Sequence, residues 1–156
     1  MSVGVKSGVP SYTMVLARVV VGLMFIMFAQ YKLIHRDFAN EGYKKYVSGW
    51  VQESSVGAYK PVLRETLKYP KFFAYAVAIS EALIGISLVL GVWVRPFSIL
   101  GALFMCNLIL ATWHLPPNSP AWRYVANQLE NIPLLLLFLL FFSHSAGQTL
   151  GLDKAK

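Results

Sequence analysis

Cysteine is nearly missing from this chain: its 156 residues hold one, Cys106. A lone thiol inside an apolar run closes no disulfide within the chain and tells nothing of redox compartment. It also rules out metal sites built from cysteine pairs. Histidine is scarce as well, and His35, His114 and His144 are too far apart to form a ligand-spaced motif. Charged residues make up 13% of the sequence, against about 25% in an average soluble domain. Acidic groups are the scarcer sign, 7 against 14 basic, giving a formal net charge of +7. There is no glycine-rich phosphate loop, no dinucleotide fingerprint and no local Ser-His-Asp signature, so no motif in this chain encodes a redox cofactor.

Apolar residues fill the space the charges leave. They reach 56% and gather in long runs. The runs fall at approximately 12–34, 72–94, 97–114 and 124–142, each near the ~20 residues that cross a hydrocarbon core as a helix. A barrel strand facing lipid would alternate apolar and polar residues, and the stretch from Leu134 to Phe142 does not alternate. A helix satisfies its own backbone in lipid, which makes it the solution for such a run. The length suits a single membrane domain over 1–156. The expected fold is therefore all-α, an integral membrane four-helix bundle. The first run contains Arg18 and no small-residue cleavage site follows it, so it reads as a retained helix.

Helices two and three are expected to form an antiparallel hairpin turning at Arg95 and Pro96. Pro116, Pro117 and Pro120 mark a loop before helix four, and Pro133 should kink that helix or start its regular part. Segment 35–71 is rich in both charge and aromatics. Tyr43, Tyr46, Val47, Trp50 and Val51 recur at helical spacing, which predicts an amphipathic segment at the membrane interface between helices one and two. Trp50, Trp93, Trp113 and Trp122 fall near span ends, as an aromatic belt requires.

Basic residues divide unevenly between the two sides. Lys6, Arg95, Lys154 and Lys156 share one side. The other holds Lys32, Arg36, Lys44, Lys45, Lys60, Arg64, Lys68, Lys71 and Arg123. The positive-inside rule puts the second group in the cytoplasm. A lysine cluster on a structured loop is also what an anionic ligand or a partner protein would meet. In so apolar a chain, lipid headgroups explain the positive charge without nucleic acid.

Arg18 and Glu81 lie within spans, where a charge costs about 2.5–3.5 kcal/mol unless it is paired or hydrated. They are expected to pair inside the bundle, either as a buried site handling a quinone headgroup or a proton, or as an ion pair that fixes helix packing. Glu130 sits in the first turn of helix four, where the helix dipole favours a negative charge, and Asn127, Gln128 and Asn131 add to that polar cluster. Each histidine is a candidate haem or chlorophyll ligand and, more often, an interfacial polar group. Ala74, Ala78 and Ala82, with Gly85, are packing positions.

The order of these features resembles the DoxX/DoxD family of four-helix membrane proteins. Helix one carries Arg18-Val19-Val20-Val21-Gly22-Leu23-Met24-Phe25 and then Lys32. Helix two carries Ser80-Glu81-Ala82-Leu83-Ile84-Gly85, then Leu88-Val89-Leu90-Gly91 and Arg95. The tail reads Gly147-Gln148-Thr149-Leu150-Gly151-Leu152-Asp153. The resemblance extends over nearly the whole chain. It implies a DoxD-like small membrane subunit of a thiosulfate:quinone oxidoreductase in a prokaryotic plasma membrane, with quinone as a candidate cofactor. Arg18 and Glu81 become the positions for a quinone or buried polar site, and Lys32, Lys44 and Lys45 contacts for an anion or a partner. Two other functions compete: an accessory subunit of a larger respiratory or photosynthetic complex with no chemistry of its own, and a small transporter or channel.

Overall fold

The structure is a computed structural model describing residues 11–114, 118–120, 122–144 and 152. Pro116 and Pro117, the basic residues Lys6, Lys154 and Lys156, and the tail motif apart from Leu152 lie outside the described residues. Every regular element among the described residues is helical. Helix α1 covers Ser11–Ile34, α2 Tyr43–Glu53, α3 Lys60–Thr66, α4 Pro70–Leu90, α5 Val94–Thr112, α6 Trp122–Ala126 and α7 Asn131–Ser143. A π-helical turn at Phe38–Gly42 leads into α2, and a 3-10 turn at Gly57–Tyr59 leads into α3.

Among the described residues three helices, α1, α4 and α5, are long and apolar enough to cross a membrane. At 24 residues, α1 extends about 36 Å, more than the roughly 30 Å hydrocarbon core. The start and end of α4 follow from its sequence. Pro70 opens it, where the missing N–H would have no partner anyway. Gly91 closes it at φ 67°, a left-handed conformation that glycine adopts without strain. Side chains such as Leu16, Met27, Leu83 and Leu103 stay exposed on the outer faces of these helices, where lipid covers them.

The connections depart from expectation in two places. The hairpin between α4 and α5 turns at 91–93, with Gly91 and Trp93 both at positive φ. Arg95 and Pro96 belong to the first turn of α5, where a proline breaks no helical hydrogen bond. The expected fourth span at 124–142 is not one helix. A turn at Asn127–Glu130 separates α6 from α7, and α7 has only 13 residues, with Pro133 in its first turn.

Helices α1 and α4 come close together where both carry glycine. A Cβ added at Gly22 would stand 2.9 Å from the Gly85 carbonyl oxygen, and one added at Gly85 would stand 2.8 Å from that of Gly22. Only glycine allows backbones so near. Gly101 of α5 does the same for α7, giving up its side-chain space to the Phe138 ring. Val21, Phe25, Ile84, Leu88, Met105 and Phe138 form the core of the bundle. Phe25 meets Phe138 edge to face at 5.3 Å between centroids.

Segment 35–71 does more than rest at an interface. Ala39, Tyr43, Val47 and Leu63 pack with Ala74 and Ala111 into a second core, so the segment caps one end of the bundle. Polar bonds hold the cap to α5. Ser54 Oγ donates to the Leu110 carbonyl (3.1 Å), the Ser55 amide donates to that of Trp113 (2.7 Å), and the Tyr59 hydroxyl donates to Asn107 Oδ1.

Candidate functional site

Beneath this cap lies the ion pair of the bundle interior. Lys32, in the last turn of α1, turns inward and places Nζ 2.5 Å from Glu81 Oε1 near the middle of α4. The Glu81 side chain is 5% exposed and that of Lys32 21%, so both charges stand largely out of water. The Phe38 ring covers the ammonium at 5.2 Å from its centroid, a cation–π contact. Glu81 Oε2 is buried and has no hydrogen-bond partner among the described residues.

Glu81 therefore takes Lys32 as its partner, where the sequence reading expects Arg18. The glycine crossing explains why. From Gly22 toward Ile26, α1 runs antiparallel to α4 from Leu88 toward Gly85. Glu81 lies beyond Gly85 toward the Lys32 end, whereas Arg18 lies beyond Gly22 toward the opposite end of the bundle. Arg18 is itself 1% exposed. Lys44 and Lys45 stay on the exposed outer face of α2, away from the pair.

Two cavities meet at Lys32 and Glu81. The larger, about 780 Å³, opens between α1, α5 and α7, with Met24, Phe28, Phe104 and Leu134 on its walls and Glu130 and Asn131 at its polar edge. The smaller, about 300 Å³, lies under the cap against Tyr43, Tyr46, Trp50, Val77, Phe104 and Asn107. An apolar, aromatic lining with a few convergent polar groups is the usual character of a small-molecule site. In chemical terms, Lys32 can donate a hydrogen bond to a carbonyl oxygen, and Glu81 can hold or hand over a proton.

Tyr43 and Tyr59 help fix the cap. Burial pushes both phenols above their ordinary range; a hydrogen bond with Thr66 partly offsets this at Tyr43, and the neighbouring Tyr43 adds to it at Tyr59. Both hydroxyls stay protonated at neutral pH, and that of Tyr59 donates to Asn107 Oδ1.

The other polar candidates hold structure together. Gln128, 1% exposed, donates through Nε2 to Thr112 Oγ1 (3.2 Å) and accepts from Asn131 Nδ2 (3.0 Å). Asn127 Nδ2 donates to the His114 carbonyl (2.8 Å), so the break between α6 and α7 is fastened to the end of α5. Glu130 stands at the N-cap of α7 without a side-chain capping bond. His114 Nδ1 donates to the Glu53 carbonyl (2.6 Å), His35 Nδ1 to that of Tyr31 (3.1 Å) and His144 Nδ1 to that of Leu140 (3.3 Å). Among the described residues no three His, Cys, Asp or Glu side chains gather to hold a metal.

The DoxX family model matches residues 13–115. The chain belongs to the DoxX family. The match takes in α1 through α5, and with them the glycine crossing, the cap and both members of the ion pair. No curated protein and no solved structure matches the chain. Family membership and the apolar helices make this an integral membrane protein in contact with the bilayer.

Proposed function

We propose that this DoxX-family protein is the membrane subunit of a quinone-linked electron-transfer enzyme of the DoxD kind, coupling thiosulfate oxidation to quinone reduction. The observation that carries the reading is the Lys32–Glu81 pair at the junction of two cavities, with Glu81 Oε2 lacking a partner among the described residues. A buried ionisable group in a span is a functional candidate because its cost must be met in some other way. A cavity of about 780 Å³ lies within the range that holds a ligand of drug size. The residues fit a quinone headgroup: aromatic and methionine walls for the ring, an ammonium for one carbonyl oxygen, a carboxyl for proton transfer.

The overall reaction balances. Two thiosulfate ions join through a new S–S bond as tetrathionate and release two electrons, and quinone takes up those electrons with two protons to become quinol. In this reading a partner subunit carries out the sulfur chemistry, and Lys44 and Lys45 on the exposed face of α2 meet that partner or its anionic substrate. Lys32 orients the headgroup, and Glu81 relays protons. The location is the plasma membrane of a prokaryote.

A second reading has support of its own. The same ion pair ties the end of α1 to α4, as polar groups do when they hold helices together in lipid. On that reading the chain is an accessory subunit of a larger respiratory or photosynthetic complex.

Gentle purification from the native membrane separates the two. Copurification with one partner and quinone, thiosulfate-dependent quinone reduction, and loss of that activity in Glu81→Gln is the result expected. Recovery within a pigment- or haem-containing complex that works equally well without this chain would favour the accessory role.

A further inference from the structure

Three cavities meet along α2, and Tyr46 lines each of them. The outermost, about 530 Å³, is a vestibule whose rim carries Asp37, Glu41, Lys45 and Glu53, all exposed. Its inner wall is formed by Tyr31, Phe38, Tyr46 and Trp50, and these same four side chains line the 300 Å³ cavity under the cap. That cavity ends on Lys32 and Glu81, where the larger cavity between the helices begins. A charged, wet surface and a buried carboxylate are thus separated by one layer of aromatic rings.

Within that layer Tyr31 and Tyr46 are the exposed rings, at 62% and 60%, and Tyr31 is held in a stack on His35 at 4.7 Å, which leaves Tyr46 the freer to move. Its centroid stands 6.5 Å from Phe38 and 6.4 Å from Trp50 in tilted rather than stacked contacts. Behind it on α2 a Cβ at Gly49 would meet nothing within 4 Å, which leaves space into which a ring can swing. Exposed rings change rotamer in picoseconds to nanoseconds. An interfacial belt explains an exposed tyrosine, but not a tyrosine that forms a wall of two interior cavities as well.

We infer that Tyr46 gates the entry of water from the α2 face to the Lys32–Glu81 site, and that this entry supplies protons to Glu81. Glu81, ionised beside Lys32, takes up a proton from vestibule water and passes it to a ligand in the large cavity, so the carboxylate returns to its starting state. The acidic rim of Asp37, Glu41 and Glu53 raises the local concentration of hydronium at the mouth. The use made of the proton rests on the proposed quinone chemistry; the water path does not.

Thiol labelling tests the path without turnover. Val77→Cys, in a Cys106→Ser background, places a thiol in the cavity under the cap. Leu83→Cys places one on the lipid face. A small cationic methanethiosulfonate reagent is applied to the detergent-solubilised chain. Labelling at position 77 is expected, with little at position 83. Tyr46→Ala should speed labelling at 77 several-fold and Tyr46→Trp should slow it. No labelling at 77, or a rate indifferent to residue 46, overturns the inference. Asn107→Cys lines the same cavity from α5 and must give the same order if Val77→Cys disturbs the fold. Labelling that follows residue 46 in a chain inactive with thiosulfate and quinone would leave the gate standing and remove the proposed function. Activity with labelling indifferent to residue 46 would do the reverse.

Discussion

Lys32 Nζ lies 2.5 Å from Glu81 Oε1 and joins the last turn of α1 to the middle of α4. Removing one member of such a pair leaves a charge in the bundle without its counterion, at a cost on the order of 3 kcal/mol. Lys32→Met should therefore destabilise the protein by about that amount in detergent unfolding. The double change Lys32→Met with Glu81→Leu removes both charges and should recover most of the loss. A double variant no more stable than Lys32→Met alone would mean that the two side chains are not energetically coupled.

The glycine crossing sets the register that brings the pair together. Gly85→Ala would put a methyl group 2.8 Å from the Gly22 carbonyl oxygen and 2.9 Å from the Ile26 amide, so α1 and α4 must separate. The expected loss is about 1–3 kcal/mol, the usual cost of overpacking. Gly49→Ala serves as the contrast, because its Cβ meets nothing within 4 Å. Helix propensity alone then applies, and unfolding should show a gain of up to about 1 kcal/mol.

Gln128 fastens α7 to the bundle through Thr112 and Asn131. Gln128→Leu breaks both bonds and strands their partners, at a cost of about 1–3 kcal/mol. Proteolysis in detergent should cut near the turn between α6 and α7 sooner in the variant than in the parent.

Alkali should loosen the cap before it disturbs the spans. Tyr43 and Tyr59 have raised pKa values in the folded state, chiefly from burial. The folded state thus holds the phenolic protons more tightly than the unfolded chain, whose tyrosines titrate near pH ~10. Their contribution is complete below that pH and is lost as pH rises through the folded values. Melting temperature should stay level on this account through neutral pH and fall above about pH 10. Tyr43→Phe should make the fall shallower.

The first three apolar runs were legible as long helices because a bilayer imposes length and polarity on its spans directly. Family membership was legible from the Glu81–Gly85 stretch taken with its neighbours in order. The limits of the fourth run were not, because an apolar average over 124–142 hides what Asn127 and Gln128 do locally: they bond to the end of α5 and break the helix. The hairpin turn was misplaced because Arg95 and Pro96 look like a break. Pro96 is harmless in a first turn, and Gly91 was the truer signal. Arg18 was the expected partner of Glu81 because both lie deep in spans. Depth alone does not give register; Gly22 and Gly85, as a close approach of two antiparallel helices, carried that information. Lys32 was read with Lys44 and Lys45 as a contact for an anion or a partner, and only the fold shows its stem turning inward to Glu81. Tyr46, Phe104 and Asn107 gave no sign as site residues, since the cavities they line join parts of the chain distant in sequence.

The most direct test of the central claim uses the double variant, Lys32→Met with Glu81→Leu, purified with its native partners and assayed for thiosulfate-dependent quinone reduction. The account predicts a stable, fully assembled complex without that activity, because the pair serves chemistry beyond joining two helices. A double variant that assembles and reduces quinone at the parent rate would contradict it and leave the pair a structural tie.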